Sequence, residues 1–266
     1  MKLVWINSLV VFGAAVLLGC NSSDKTSFSR GKSALEKSDI DTALLNFNRV
    51  IEQSTDAELI SQSSRYLADI NLLQKKDYKE SLRFLDISIA NSTSATSSQE
   101  ALKKKAFILF HHLARYQEAI NVYVRLLGFE NANLVEQGEF RLNLAKSYFM
   151  LSQYEQARIE AQRVLQESKV EAHKDKAAKM IADTYISGGN ESKEAVDKYK
   201  IIMAGIHDAD TKKDMALNLA LWLEQKNKYK EAYDVLDQLQ AKNDEFLVAK
   251  MKQLDRLFLL QTRRPK

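Results

Sequence analysis

A step of 38 residues recurs along most of this 266-residue chain. Small residues stand at Ala43, Ser81, Ala119, Ala157, Ala195 and Ala232, at spacings of 38, 38, 38, 38 and 37. Four positions after each comes Phe47, Leu85, Tyr123, Ala161, Tyr199 or Leu236, of which Ala161 is the small exception. In five units a further apolar residue follows three later: Val50, Leu126, Val164, Ile202 and Leu239. Positions i, i+4 and i+7 lie on one face of a helix. A second periodic segment precedes this one, clearest in Leu144-Ala145 with Tyr148, Ala106-Phe107 with Phe110, and Leu219-Ala220 with Leu223. Each unit therefore reads as a helical hairpin. Eight glycines and one proline, Pro265, leave little to break long helices, so the chain reads as all-α.

Tyr116-Gln117-Glu118-Ala119, Tyr154-Glu155-Gln156-Ala157 and Tyr229-Lys230-Glu231-Ala232 stand at the start of the second segment of their units. In this the unit resembles the tetratricopeptide repeat (TPR), whose first helix carries a small residue with an aromatic three later and whose second helix opens near Tyr-x-x-Ala. The resemblance covers about residues 27 to 243 and implies a right-handed superhelical solenoid of about six hairpins. Two departures are visible: the proline that ends the family's second helix is missing, and Ala34 stands in the first unit where an aromatic is usual. The family's unit is about four residues shorter, which is close to one helical turn, so longer helices can keep their faces in phase. The longer step is similar to that of periplasmic TPR lipoproteins of the barrel-assembly and pilotin type. The Ser/Thr-rich stretch from Asn91 to Ser98 does not read as a domain linker, because the step is kept across it, whereas Gly188-Gly189-Asn190 reads as a loose turn. Asn243-Asp244-Glu245 starts a last helix, and Phe246, Leu247, Met251, Leu254, Leu257 and Phe258 form its apolar stripe. Residues 244 to 266 are expected to be a capping helix with a basic tail, Arg263-Arg264-Pro265-Lys266.

The first nineteen residues differ from the rest. After Lys2, the stretch Leu3 to Leu18 is apolar apart from Asn7 and Ser8, and polar Asn21-Ser22-Ser23-Asp24 follows it. It resembles a signal peptide and is short for a membrane span, which needs about 20 apolar residues. Leu17-Leu18-Gly19-Cys20 resembles the bacterial lipobox. This resemblance implies cleavage before Cys20, diacylglycerol and a further acyl chain such as palmitate on that cysteine, and a lipidated tether over residues 20 to 26. Two or three chains anchor firmly where one does not, at about 0.8 kcal/mol per buried methylene. Cys20 is the only cysteine, so the folded body must be stable without disulfides. Asn21 follows it where aspartate would retain an enteric lipoprotein in the inner membrane, so the expectation is the outer membrane with the body in the periplasm.

No cofactor or metal is expected apart from that covalent lipid, because the sequence has no HExxH, cysteine ligand set, P-loop, GxGxxG or GxSxG. His111 and His112 are adjacent and diverge by about 100° on a helix, which prevents chelation from one face. The excess of four lysines and arginines over acids is too mild, and too scattered, for nucleic acid. A small-molecule substrate is not expected.

Binding is the class that remains. Stacked hairpins line a concave surface with their first helices, suited to an extended peptide or a partner helix. The family's groove-facing positions carry over as Tyr66, Ile70 and Leu73 in the second unit, Lys104, Ile108 and His111 in the third, Leu142, Lys146 and Phe149 in the fourth, and Lys179 in the fifth. Lys104, Lys146 and Lys179 would form a basic stripe for an acidic or C-terminal carboxylate ligand. The asparagine of the family's carboxylate clamp is absent from Lys32, Ile70, Ile108 and Lys146, so chaperone-tail binding is not implied. The expectation is a non-enzymatic, membrane-anchored scaffold that recruits an envelope protein for assembly of an outer-membrane complex, whether barrel assembly or a secretin of type IV pili or secretion. The alternative is a peptidoglycan-associated regulator or a subunit of a cell-wall enzyme.

Overall fold

A computed structural model describes residues 23–130, 133–187, 192–240 and 244–263. Cys20, the apolar leader and Gly188-Gly189-Asn190 lie outside them. Among the described residues every regular element is a helix, and the helices form TPR-like hairpins followed by a capping helix. The chain divides into two compact units, Met1–Asn131 and Ala132–Lys266.

The first unit holds α1 (23–36), α2 (Ile40–Gln53), α3 (Ala57–Ile70), α4 (Tyr78–Asn91), α5 (Ala95–Phe107) and α6 (Tyr116–Leu127). Asp39, Asp56, Asp77 and Ser94 cap α2, α3, α4 and α5, each accepting a backbone N–H in the first turn. The small residue of the first hairpin is Gly31: a Cβ there would stand 2.8 Å from the Phe47 ring. The aromatic missing at Ala34 is replaced by a stack, with Phe28 5.9 Å from Phe47 and Phe47 4.8 Å from Tyr66 between ring centroids. Helix α1 begins at residue 23, inside the stretch expected as a tether, and buries Asp24 and Ser27.

The second unit holds α7 (Leu134–Met150), α8 (Tyr154–Glu167), α9 (Glu171–Ser187), α10 (Lys193–Ala204), α11 (Ala209–Gln225), α12 (Tyr229–Asp237) and α13 (Glu245–Thr262). Asn133 and Glu136 form a reciprocal capping box at α7. Buried Asp175 of α9 reaches the turn before α11 and accepts the Asp208 N–H at 2.9 Å. From α9 to α13 the core is continuous, through Ala182, Tyr199, Met215, Leu219, Leu223, Val235, Leu236 and Leu254. Of the stripe expected on α13, Leu247 and Leu254 are buried and Met251 packs against the core, whereas Phe246 is 64% exposed.

Among the described residues, the joint inside a hairpin repeats as closely as the helices do. Ser38, Lys76, Ala114, Ser152 and Asn227 all have φ between 51° and 59°, the left-handed cap that ends a helix and turns the chain back. The joints come in two lengths. Helices α7 and α11 close with a six-to-one bond, Gln153 N–H to Tyr148 C=O and Lys228 N–H to Leu223 C=O, both 2.9 Å. Helices α3 and α5 instead end in π turns, Asn71–Lys75 and Ile108–His112, closed by Asp77 N–H to Asn71 C=O and Arg115 N–H to Leu109 C=O, both 2.8 Å. Each π turn takes up one extra residue.

Candidate partner-binding groove

That extra residue decides which side chains face the groove. The small residues on the first helices are Ala68, Ala106, Ala145, Ala182 and Ala220, every one of them at most 1% exposed. A strict 38-residue step counted from the second helices makes Lys146 the equivalent of Ile70 and Ile108. Counted from the buried alanines, the equivalent is Ser147, which is fully buried and donates to the Asn143 carbonyl at 2.8 Å. Ile70 is 4% and Ile108 0% exposed, so both are core residues and neither offers surface to a partner. The groove position is the residue after each alanine: Asp69, Phe107, Lys146, Asp183 and Leu221.

In the first unit the remaining groove candidates are largely engaged. Half-buried Tyr66 is stacked on Phe47, their rings inclined by only 5°. Lys104 Nζ lies 2.6 Å from both oxygens of Asp69, and Arg65 pairs with Glu100, so α3 and α5 are tied across their inner faces. Between them is a polar hollow of about 220 Å³. Leu73 is 68% exposed on its π turn, and exposed His111 lies 4.8 Å from the rings of Phe107 and Phe110. The basic stripe does not form as expected, since Lys104 is neutralised here and Lys179 is neutralised in the second unit.

The second unit carries a wider groove. Glu139, Leu142, Asn143 and Lys146 of α7 face His173, Lys176, Lys179 and Met180 of α9 around a cavity of about 460 Å³. Asp183 closes this cavity and also borders a second of about 290 Å³, lined by Phe149, Ile186, Leu221 and Trp222. The two hollows thus run on from a basic end to an apolar, aromatic end. Asp183 is held from both sides: Lys179 Nζ stands 2.7 Å from Oδ2, and the Tyr199 hydroxyl, 3.1 Å away, donates to Oδ1. Burial first, and then the Asp183 charge, raise the Tyr199 phenol far above its ordinary range, so it stays a donor. His173 is 6% exposed and its Nδ1 finds no partner among the described groups. It fits because position 138 is glycine: a Cβ on Gly138 would stand 2.6 Å from Nδ1.

Of the expected groove residues, the second unit therefore brings together Leu142, Lys146, Phe149 and Lys179. Met180 and Trp222, which the 38-residue step reaches from Leu142 and Lys146, join them, together with Asp183, Leu221 and His173, which it does not reach. Counting from Ala145, Ala182 and Ala220 would have found Asp183 and Leu221. The groove offers apolar walls, lysines for orientation and one fixed carboxylate, with no nucleophile beside a base. Among the described residues no group of histidine, cysteine and carboxylate side chains could hold a metal, and no helix is long and apolar enough to cross a membrane.

The class these features define is a TPR-like helical-hairpin protein with an open groove. Among solved structures it is similar to MamA, residues 41 to the end, from Desulfovibrio magneticus RS-1 (16% identity, 68% of this chain and 94% of that one, TM-score 0.47). It is also similar to a tetratricopeptide repeat protein from Parabacteroides merdae (17% identity, 88% and 99%, TM-score 0.47) and to PilF of Pseudomonas aeruginosa (15% identity, 88% and 99%, TM-score 0.46). No family model and no curated protein matches the chain. The hairpin assignment rests on the chain's own repeat and contacts, and these likenesses leave its partner open.

Proposed function

We propose that the chain is a non-enzymatic scaffold of the bacterial envelope, held on the outer membrane by acyl chains on Cys20, which seats an extended or helical segment of an envelope protein in the groove of α7, α9 and α11. The observation that carries this reading is the pair of hollows that share Asp183, lined across α7, α9 and α11 by Leu142, Met180, Phe149 and Trp222. Apolar side chains of the partner fill the hollows, and Lys146 and Lys176 set its orientation. The role is assembly of an outer-membrane complex, by the barrel machinery or around a secretin.

A photo-reactive residue at position 176 in cells, with mass spectrometry of the crosslinked product, tests it. The expected product is a barrel-assembly or secretin subunit, reduced at least tenfold when Met180→Ala and Trp222→Ala remove the groove walls. A product whose yield ignores both substitutions sinks the groove reading. Membrane fractionation of Cys20→Ser tests the anchor separately: release is expected, and undiminished retention would show that Cys20 is not the attachment point.

A further inference from the structure

Helix α13 has an outer face that capping does not explain. It is clamped on its inner side: Leu247 and Leu254 are 1% and 0% exposed, Lys250 pairs with Glu224 at 2.6 Å, and Gln261 donates to the Asn227 carbonyl at 3.2 Å. The helix therefore cannot roll. At about 100° per residue, Lys252, Arg256, Leu259, Leu260 and Arg263 fall within an outer arc of roughly 100°. Leu259 is 43% and Leu260 60% exposed, and Phe246, at 64%, extends the arc. The three basic residues are exposed, with no ion pair to the described residues. Asp255 stands at the edge of the arc, and the one carboxylate in angular register with it is Glu245, in the first turn of the helix and about four turns from Leu259 and Leu260. A helix that closes a repeat stack for solubility presents a polar outer face; this one presents leucines among cations.

The charge distribution points the same way. The whole chain has 39 lysines and arginines against 35 acids, an excess of four. Residues 252–266 contain five of those cations and one acid, again an excess of four, so residues 1–251 balance at 34 against 34. All of the net charge sits on and just beyond this one face.

We propose that the outer face of α13 is a docking surface for an anionic lipid bilayer. Exposed leucines enter the headgroup region, and the long stems of Lys252, Arg256 and Arg263 lie along apolar surface while their charges reach lipid phosphates. A second copy of the chain is disfavoured as the occupant, because a two-fold contact would set these cations against themselves. The surface is separate from the groove, so it stands or falls independently of the partner reading.

The test uses the full chain carrying Cys20→Ser, with and without Arg256→Gln and Arg263→Gln, so that any contribution of the apolar leader is the same in both. The readout is co-sedimentation with vesicles of phosphatidylglycerol and phosphatidylcholine relative to phosphatidylcholine alone. At about fivefold per basic residue, the double variant should lower that ratio roughly 25-fold with an unchanged thermal melt, and raised salt should lower it for the parent. Leu259→Ser with Leu260→Ser should weaken vesicle binding while leaving the melt unchanged. An equal ratio for parent and double variant would overturn the proposal. So would concentration-dependent dimerisation abolished by the leucine substitutions, which would make a second copy the occupant. Binding to polyglutamate but not to anionic vesicles would assign the face to an acidic protein and overturn it as well.

Discussion

Helices α3 to α5 in the first unit and α11 to α13 in the second use the same hairpin architecture, but the first adds a set of buried polar side chains to aliphatic residues such as Leu67, Leu85 and Leu102. The first region buries Ser61, Ser63, Ser64, Ser81, Ser88, Ser97, Ser98 and Gln99. Some of these polar groups are satisfied: Ser61 Oγ donates to the Ser88 carbonyl at 2.9 Å, and Ser81 Oγ to the Ala68 carbonyl at 2.8 Å. Ser63, Ser64, Ser97 and Gln99 each keep a buried atom with no partner among the described groups. The second region closes on Met215, Leu219, Leu223, Val235, Leu236 and Leu254, and among the described residues there no buried side-chain atom is left unpartnered. Small side chains let helices approach in either case. A position filled by a large aliphatic side chain contributes burial of about 1.5–3 kcal/mol, whereas a position filled by an orphan hydroxyl costs about 1–3 kcal/mol. The serine-filled region is therefore the softer of the two and should open first.

The largest effect is expected at Leu223, which is fully buried. Leu223→Ala should destabilise the second unit by about 2–5 kcal/mol. Trp222, its neighbour, reports the loss as a lower denaturant midpoint in fluorescence. Hydrogen exchange in α3 to α5 should stay as it was; equal acceleration there would mean that the two regions unfold as one. A smaller effect is expected in the first unit from Gly31→Ala. The added Cβ would meet the Phe47 ring at 2.8 Å, and an overpacked contact of this kind costs about 1–3 kcal/mol. Exchange in α1 and α2 should accelerate, and an unchanged rate would show that the Phe28, Phe47 and Tyr66 stack shifts freely.

In the serine region the expected change has the opposite sign. Ser64→Ala removes a buried hydroxyl that has no partner and should stabilise the first unit by about 1 kcal/mol. Alanine also favours helix by a few tenths of a kcal/mol over serine, so the control is Ser61→Ala, where the hydroxyl bonds to Ser88 at 2.9 and 3.1 Å. Propensity alone would stabilise both variants. If satisfaction of the hydroxyl decides, exchange slows in the first variant and quickens in the second, and the same change in both would refute the account of softness.

Much of this architecture was legible in the residues. Ala43, Ser81, Ala119, Ala157, Ala195 and Ala232, which set the repeat, are all at most 1% exposed, and the second helices open where the Tyr-x-x-Ala segments place them. The groove was legible only in part, for two physical reasons. A π turn is a local change in hydrogen-bond register with no side-chain signature, so nothing in Asn71-Leu72-Leu73 or Ile108-Leu109-Phe110 announces the extra residue that turns Ile70 and Ile108 inward. Serine is common in turns and on surfaces, so residue type alone does not mark the run in α3 and α5 as buried. Lys104 was visible as a lysine, but its partner Asp69 comes into range only through the fold, whereas Lys179 and Asp183 are an i,i+4 pair that the helical spacing of α9 already brings together.

The smallest expected effect lies at the joints that both units share. Ser38, Lys76, Ala114, Ser152 and Asn227 hold a left-handed conformation with φ between 51° and 59°, and none of them is glycine. Asparagine tolerates this region because its short polar side chain can bond locally, but alanine has no such compensation. The strain at Ala114 is therefore uncompensated, at about 1 kcal/mol or slightly more, and glycine removes it while losing some stability to a freer unfolded chain. Ala114→Gly should raise the stability of the first unit by about 0.5 kcal/mol, and Asn227→Gly should change the second by less than that. Thermal melts of the two variants decide it. A larger gain from Asn227→Gly would mean that the sixth hairpin, despite its aliphatic core, is the one closed under strain.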